Sequence, residues 1–243
     1  MKGYLLVRIA EVAVKASTSV ILRCLLFAPI WLIHSQGYGA TAVVCTVPGV
    51  TVNSDRAEDG ELACEAAGKA LAFMRHQGFE VNIRFTLDLV DRSLSLHGAE
   101  VKGTYDSKRF HIEVPSFSQA QVMAQRHPPF GMNMCEEMWQ SFVVHEVAHA
   151  VAQANFNVRK PSLEAHEYIA YVVQIATLSE PLRRRLLAKF DNLAFQHERQ
   201  ISRTFLQLEP EVFAVKAYRH YSAHPDPQAF FQRLLNNWVS SPH

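Results

Sequence analysis

The chain has 243 residues, 49 % of them hydrophobic and 19 % charged, with a formal net charge of +1. That composition is too apolar for a disordered chain and suits one globular domain with a sizeable core. No basic stripe with interleaved aromatics is present, so nucleic acid, whose phosphates demand clustered Lys and Arg, is not an expected partner.

The first forty-odd residues differ from the rest. Lys2, Arg8, Lys15 and Arg23 stand against one acid, Glu11, and are followed by the apolar run "CLLFAPIWLI" and a polar stretch ending in "GATA". This is the layout of a secretory signal over 1–42, with cleavage expected after Ala42 and Ala40 at the minus-three place. Ten apolar residues are too few for a permanent span, which needs about 20. No stable membrane insertion is therefore expected after cleavage, and the mature domain covers 43–243. Cleavage takes 24 Lys and Arg to 20 and 23 Asp and Glu to 22, so the formal charge moves from +1 to −2. It also removes Cys24. In an oxidising compartment Cys45 and Cys64 can then close a loop of about 20 residues that pins the mature N-terminus to the first helix. Cys135 is the odd thiol, read as a small buried residue on the helix expected to begin near 133.

Beyond "VPGVTVNSD", an extended piece, apolar residues at helical spacing predict a helix over 61–77 that Gly78 stops. "EVNIRFTLDLV" alternates as a half-buried strand. "AEVKGTYD" and "KRFHIEVPS" follow as extended runs joined by a turn at Asp106–Ser107. These predict a small, mainly antiparallel sheet within residues 43–132. "FSQAQVMAQRH" is a helix before the Pro128–Pro129–Phe130–Gly131 break.

From about 133 the chain reads as helical to its end. The predicted helices are 133–154, one from the N-cap Ser162 through "LEAHEYIAYVVQIATL", a long one over 181–208, one over 211–221, and a last one from Asp226–Pro227 to Trp238. The expected fold class is α+β, with the 133–154 helix at the join of sheet and helical half. The "RRR" run at 183–185 is a solvated helix face.

The chemistry sits in "HEVAHA", 145–150. His145 and His149 are four residues apart, so on a helix they project from one face and can ligate one metal ion. Glu146 is rotated about 100° away, outside the ligand shell but near a water the ion would activate. Valines and alanines surround the motif, as a buried active-site helix requires.

Two histidines do not complete a catalytic zinc site, which has three protein ligands and an open position. In metzincins, "HExxHxxGxxH" supplies the third, but here Ala152 and Asn155 occupy the glycine and last histidine places. An acid on the next helix remains, in "LEAHEYIAYVVQ". Glu167 follows His149 after a gap of seventeen residues, across a connection containing Pro161. Glu164 is the second choice, and the adjacent His166 is another possible ligand.

"HEVAHAVA" followed by "HEYIAYVV" resembles a gluzincin, the zincin class whose third ligand is a glutamate in a segment similar to "NEGFASYV". Aligning Glu167 with that glutamate brings Ala170 onto its alanine. The likeness covers about residues 80–175 and is closest to short secreted bacterial gluzincin-like proteins with no assigned substrate. It departs in the spacing, seventeen where eighteen is usual, and in Tyr171, where some members carry an Asp.

The resemblance implies a zincin-like fold and a secreted or periplasmic Zn2+-dependent metallopeptidase. His145, His149 and Glu167 would hold the metal, with Glu146 as general base and acid. It also implies a peptide or protein substrate, an edge strand lying along the cleft, and an oxyanion-steadying residue. "RFHIEV", 109–114, is the expected edge strand, and Tyr218, His220 and Tyr221 are the oxyanion candidates. A catalytically silent zincin-fold binding protein, and an amidase acting on cell-wall peptides, are the alternatives.

Overall fold

The computed structural model describes residues 41–96 and 98–237; most of the expected signal segment, with Cys24, and the expected helix end at Trp238 lie outside them. Among these residues a five-stranded sheet and eight α-helices form, an α+β arrangement. The strands are β1 (Thr41–Val44), β2 (Val50–Ser54), β3 (Phe85–Val90), β4 (Leu94–Leu96), β5 (Ala99–Val101), β6 (Thr104–Asp106) and β7 (His111–Pro115). β4 and β5 pair with each other only, as a separate hairpin. The expected cleavage point after Ala42 falls within β1, which pairs antiparallel with β2.

The sheet order is β1-β2-β3-β7-β6. Its centre corrects the expectation of a mainly antiparallel sheet, because β2, β3 and β7 run parallel and only the outer pairs are antiparallel. The cause is the crossover: α1 (Ala57–His76) leads from the end of β2 back to the start of β3, which a tight hairpin does not do. The predicted turn at Asp106–Ser107 does form a hairpin, pairing β6 with β7 in the register Tyr105↔Ile112. β7 is thereby interior, so "RFHIEV" is not the edge; that place is taken by β6.

One sheet face is buried through alternate residues, Val52, Leu87, Ile112 and Val114. Ala63, Ala66, Ala67 and Ala70 give α1 a flat surface in the same core. Cys45 and Cys64 are disulfide-bonded, with a Cα–Cα distance of 5.4 Å, and tie the chain after β1 to α1. The predicted strand at 80–84 does not form. There Asn155 takes both backbone groups of Glu80, accepting from its N–H and donating to its carbonyl.

α2 (Phe117–Arg126) is N-capped by Ser116 and precedes the 3-10 turn at Pro129–Gly131. α3 (Glu136–Asn155), which carries the motif, packs against α1, β6, β7 and α4 (Leu163–Ala176) and is buried on nearly every side. Ser162 caps α4 through its hydroxyl, which accepts from Ala165 N–H. Cys135 corrects its own expectation: the helix starts one residue after it, leaving a free, exposed thiol.

The long helix expected over 181–208 is broken. α5 (Glu180–Leu187) buries Leu182 and Leu186 and ends. A loop then inserts Phe195 and Ile201 into the core before Ser202 caps α6 (Arg203–Leu208). Core burial of these residues from an extended segment overrides local helix propensity. Arg183 is not merely solvated, since it donates to the carbonyls of Ala176, the last residue of α4, and of Leu178 just beyond it. α7 (Pro210–Ala223) and α8 (Pro227–Asn237) complete the chain, with Asp226 accepting from Ala229 N–H at the start of α8.

Candidate metal centre

His145 and His149 lie one turn apart on α3, and α4 runs back beside α3 so that Glu167 faces them. Their Nε2 atoms are 3.1 Å apart; Glu167 Oε2 is 3.4 Å from His145 Nε2, and Oε1 is 3.5 Å from His149 Nε2. Zinc bonds of about 2.0–2.2 Å in a tetrahedron place neighbouring ligand atoms roughly 3.3–3.5 Å apart, and each histidine nitrogen stands at that spacing from one of the two Glu167 oxygens. Among the described residues this is the one group of three His, Cys, Asp or Glu that could hold a metal ion. The donor chemistry fits zinc.

The direction of one hydrogen-bond chain fixes the His145 ring. The Met138 carbonyl can only accept, so Ser141 Oγ donates to it at 2.7 Å. Gln174 Nε2 donates to Ser141 Oγ at 3.1 Å, which turns Gln174 Oε1 toward His145 Nδ1, also at 3.1 Å. His145 Nδ1–H is therefore the donor, leaving an Nε2 lone pair aimed at the other two ligand atoms. Tyr171, at the position where some gluzincins carry an Asp, packs its ring on His145 with centroids 4.6 Å apart.

Burial and mutual charge shape the site. Burial pulls the Glu167 carboxyl upward, but His149 and then His145 overcome it, holding the group well below the usual carboxylate range. For His149, burial opposes protonation, yet the Glu167 charge and hydrogen bond outweigh it and the pKa is raised. Glu146, 7 % exposed, has its pKa raised by burial, against the attraction of His145 and His149. No hydrogen bond among the described residues engages its carboxylate.

These groups face a cavity of about 590 Å³. Its walls include Tyr105 and Lys102 from the β6 side, Leu96 from the β4–β5 hairpin and Leu163 from α4. Leu96 and Leu163 are 53 % and 40 % exposed, so part of the cavity lining is apolar and open to solvent. The Tyr105 hydroxyl is buried without a partner, and burial lifts its pKa to about 12.

Other sequence candidates fall elsewhere. Glu164 is buried, its Oε1 unpartnered, and is outside the ligand group. His166 lines the cavity and packs on Phe156, and burial, reinforced by His149, pushes its pKa down to about 3. Tyr218, His220 and Tyr221 do not line the cavity: His220 Nδ1 is 2.7 Å from the Tyr168 hydroxyl, Tyr221 stacks on Phe231, and Tyr218 packs in a separate apolar cluster. Gln174, Ser141 and Tyr105 went unnoticed in the sequence. The first was legible as the continuation of the Glu167–Tyr171–Gln174 face, four and three residues apart on α4.

A family profile described as "Family of unknown function (DUF6639)" matches residues 50–241. The chain belongs to this family. The match takes in β2 onward, including both motif segments of this DUF6639 member. No curated protein and no solved structure matches the chain.

Proposed function

We propose that this DUF6639 protein is a secreted or periplasmic zinc-dependent metallopeptidase of the gluzincin type. The observation that carries the proposal is the convergence of His145 Nε2 and His149 Nε2, 3.1 Å apart, on the Glu167 carboxylate, whose Oε2 is 3.4 Å from the first and Oε1 3.5 Å from the second, facing a cleft beside an unengaged Glu146 carboxylate. A zinc ion bound there supplies Lewis acidity and lowers the pKa of water.

The chain's own groups account for the rest. Glu146 takes the proton from the attacking water and returns it to the leaving amine, a role matched by its raised pKa. Tyr105, with its unpartnered hydroxyl on the cavity wall, is the donor we assign to the developing oxyanion, replacing Tyr218, His220 and Tyr221. β6 is the sheet edge beside the cleft and can add an extended peptide as a further strand. The Cys45–Cys64 disulfide supports an oxidising compartment, and no helix among the described residues is long and apolar enough to cross a membrane.

The test is hydrolysis of a peptide library, including cell-wall peptides, by zinc-loaded wild type and Glu146→Gln. Cleavage by wild type, with loss in a variant that keeps its zinc, supports the proposal. Zinc retained without cleavage by either protein points to a silent binding protein, and cleavage confined to cell-wall peptides points to the amidase.

A further inference from the structure

Gly103 lies between β5 and β6, where the sheet edge meets α3. A Cβ built there would stand 2.6 Å from both Glu146 Cγ and Oε1, and 2.8 Å from Cδ. The three nearest atoms thus all belong to one side chain, and all lie far inside ordinary van der Waals contact. Gly103 is not among the residues with positive φ, so no backbone conformation demands glycine here. The requirement is steric, and it concerns Glu146 alone among these nearest contacts.

We infer that Gly103 is a positioning residue for Glu146: the missing side chain at 103 is the space that lets the Glu146 carboxylate face the cavity beside the three ligand atoms. The inference rests on the proposed role of Glu146 as the proton-transferring group. Nothing among the described residues hydrogen-bonds that carboxylate, so packing sets its direction, and Gly103 is the wall it packs on. The three nearest atoms that a methyl group at 103 meets are the Cγ and carboxylate atoms of a flexible side chain, none of them backbone. The carboxylate therefore swings away while the helix and strand stay in place.

The experiment is Gly103→Ala, alone and combined with changes at Glu146. The single variant is expected to keep the zinc stoichiometry and the cobalt-substituted absorption spectrum of wild type, because no ligand atom is among the three nearest contacts. Its kcat is expected to fall by about tenfold to hundredfold, with a smaller change in KM, as for a displaced general base. In a Glu146→Gln background the same change should cause no comparable further loss.

A crystal structure of metal-free Gly103→Ala should show Glu146 in a different rotamer with the main chain unmoved. This readout needs no turnover, so it decides the inference even where wild type cleaves no peptide and the proposed function itself fails. An unshifted Glu146, or a kcat equal to wild type in an active enzyme, would overturn it. So would zinc loss in parallel with activity. Should Gly103→Ala fail to fold, Gly103→Ala/Glu146→Ala removes the clashing side chain and is expected to fold; its failure would mark Gly103 as a structural residue only.

Discussion

Gln174 Oε1 sits 3.1 Å from His145 Nδ1, and this contact decides which nitrogen of the ring is free to bind a metal. The chain behind it, from Gln174 through Ser141 to the Met138 carbonyl, has one consistent donor direction because its last member cannot donate. An amide thus does for His145 what an acid does in many zinc sites.

Gln174→Leu keeps the side chain's size and removes both of its hydrogen bonds. Zinc affinity is expected to drop by roughly 10- to 100-fold. The check is competition against a chromophoric chelator, with circular dichroism confirming the fold.

Zinc affinity should also fall on acidification. The raised pKa of His149, in which the Glu167 charge and hydrogen bond overcome burial, means that protons compete with the metal as pH falls through that raised value. Chelator titrations from about pH 8 to about pH 5.5 bracket the ordinary histidine pKa of about 6.5 and should show the steepest loss at or above it.

Glu146 makes an opposite, metal-free prediction. Burial raises its folded-state pKa above the unfolded value, so folding favours the protonated acid. Its stabilising contribution is complete below the ordinary carboxylate value and is lost as pH rises through the raised one. Metal-free Glu146→Gln should therefore gain stability relative to wild type as pH increases over that window, as read by urea midpoints.

The disulfide lends itself to a direct measurement. Cys45 and Cys64 close a loop with a sequence separation of 19, for which the chain-entropy picture gives a contribution of about 3 kcal/mol. Replacing both with Ala should lower the unfolding free energy by that order without removing the metal ligands.

Much of this architecture was legible in particular residues. Helical spacing from Leu62 to Met74 marked α1, Ser162 marked the start of α4, and the extended run "KRFHIEVPS" after its turn marked β7. The four-residue step from His145 to His149 and the acid at 167 marked three side chains that α3 and α4 bring together. What sequence periodicity lacks is partner identity. It says that β3 and β7 are strands, but the parallel centre arises from the α1 crossover, and the edge position of β6 arises from the hairpin return of β7.

The same limit hid Gly103 and Tyr105. Their importance comes from the proximity of the sheet edge to α3, a contact between residues about forty positions apart. Phe195 and Ile201 misled for the opposite reason, since they are apolar through core burial in a loop and not through a helical face.

The central claim is tested most directly by an anomalous difference map at the zinc edge from crystals of zinc-loaded protein covering residues 43–243. The account predicts one strong peak bonded to His145 Nε2, His149 Nε2 and a Glu167 oxygen at about 2.0–2.2 Å. No peak between α3 and α4, or a peak there liganded by Glu164 or His166 in place of Glu167, would contradict it.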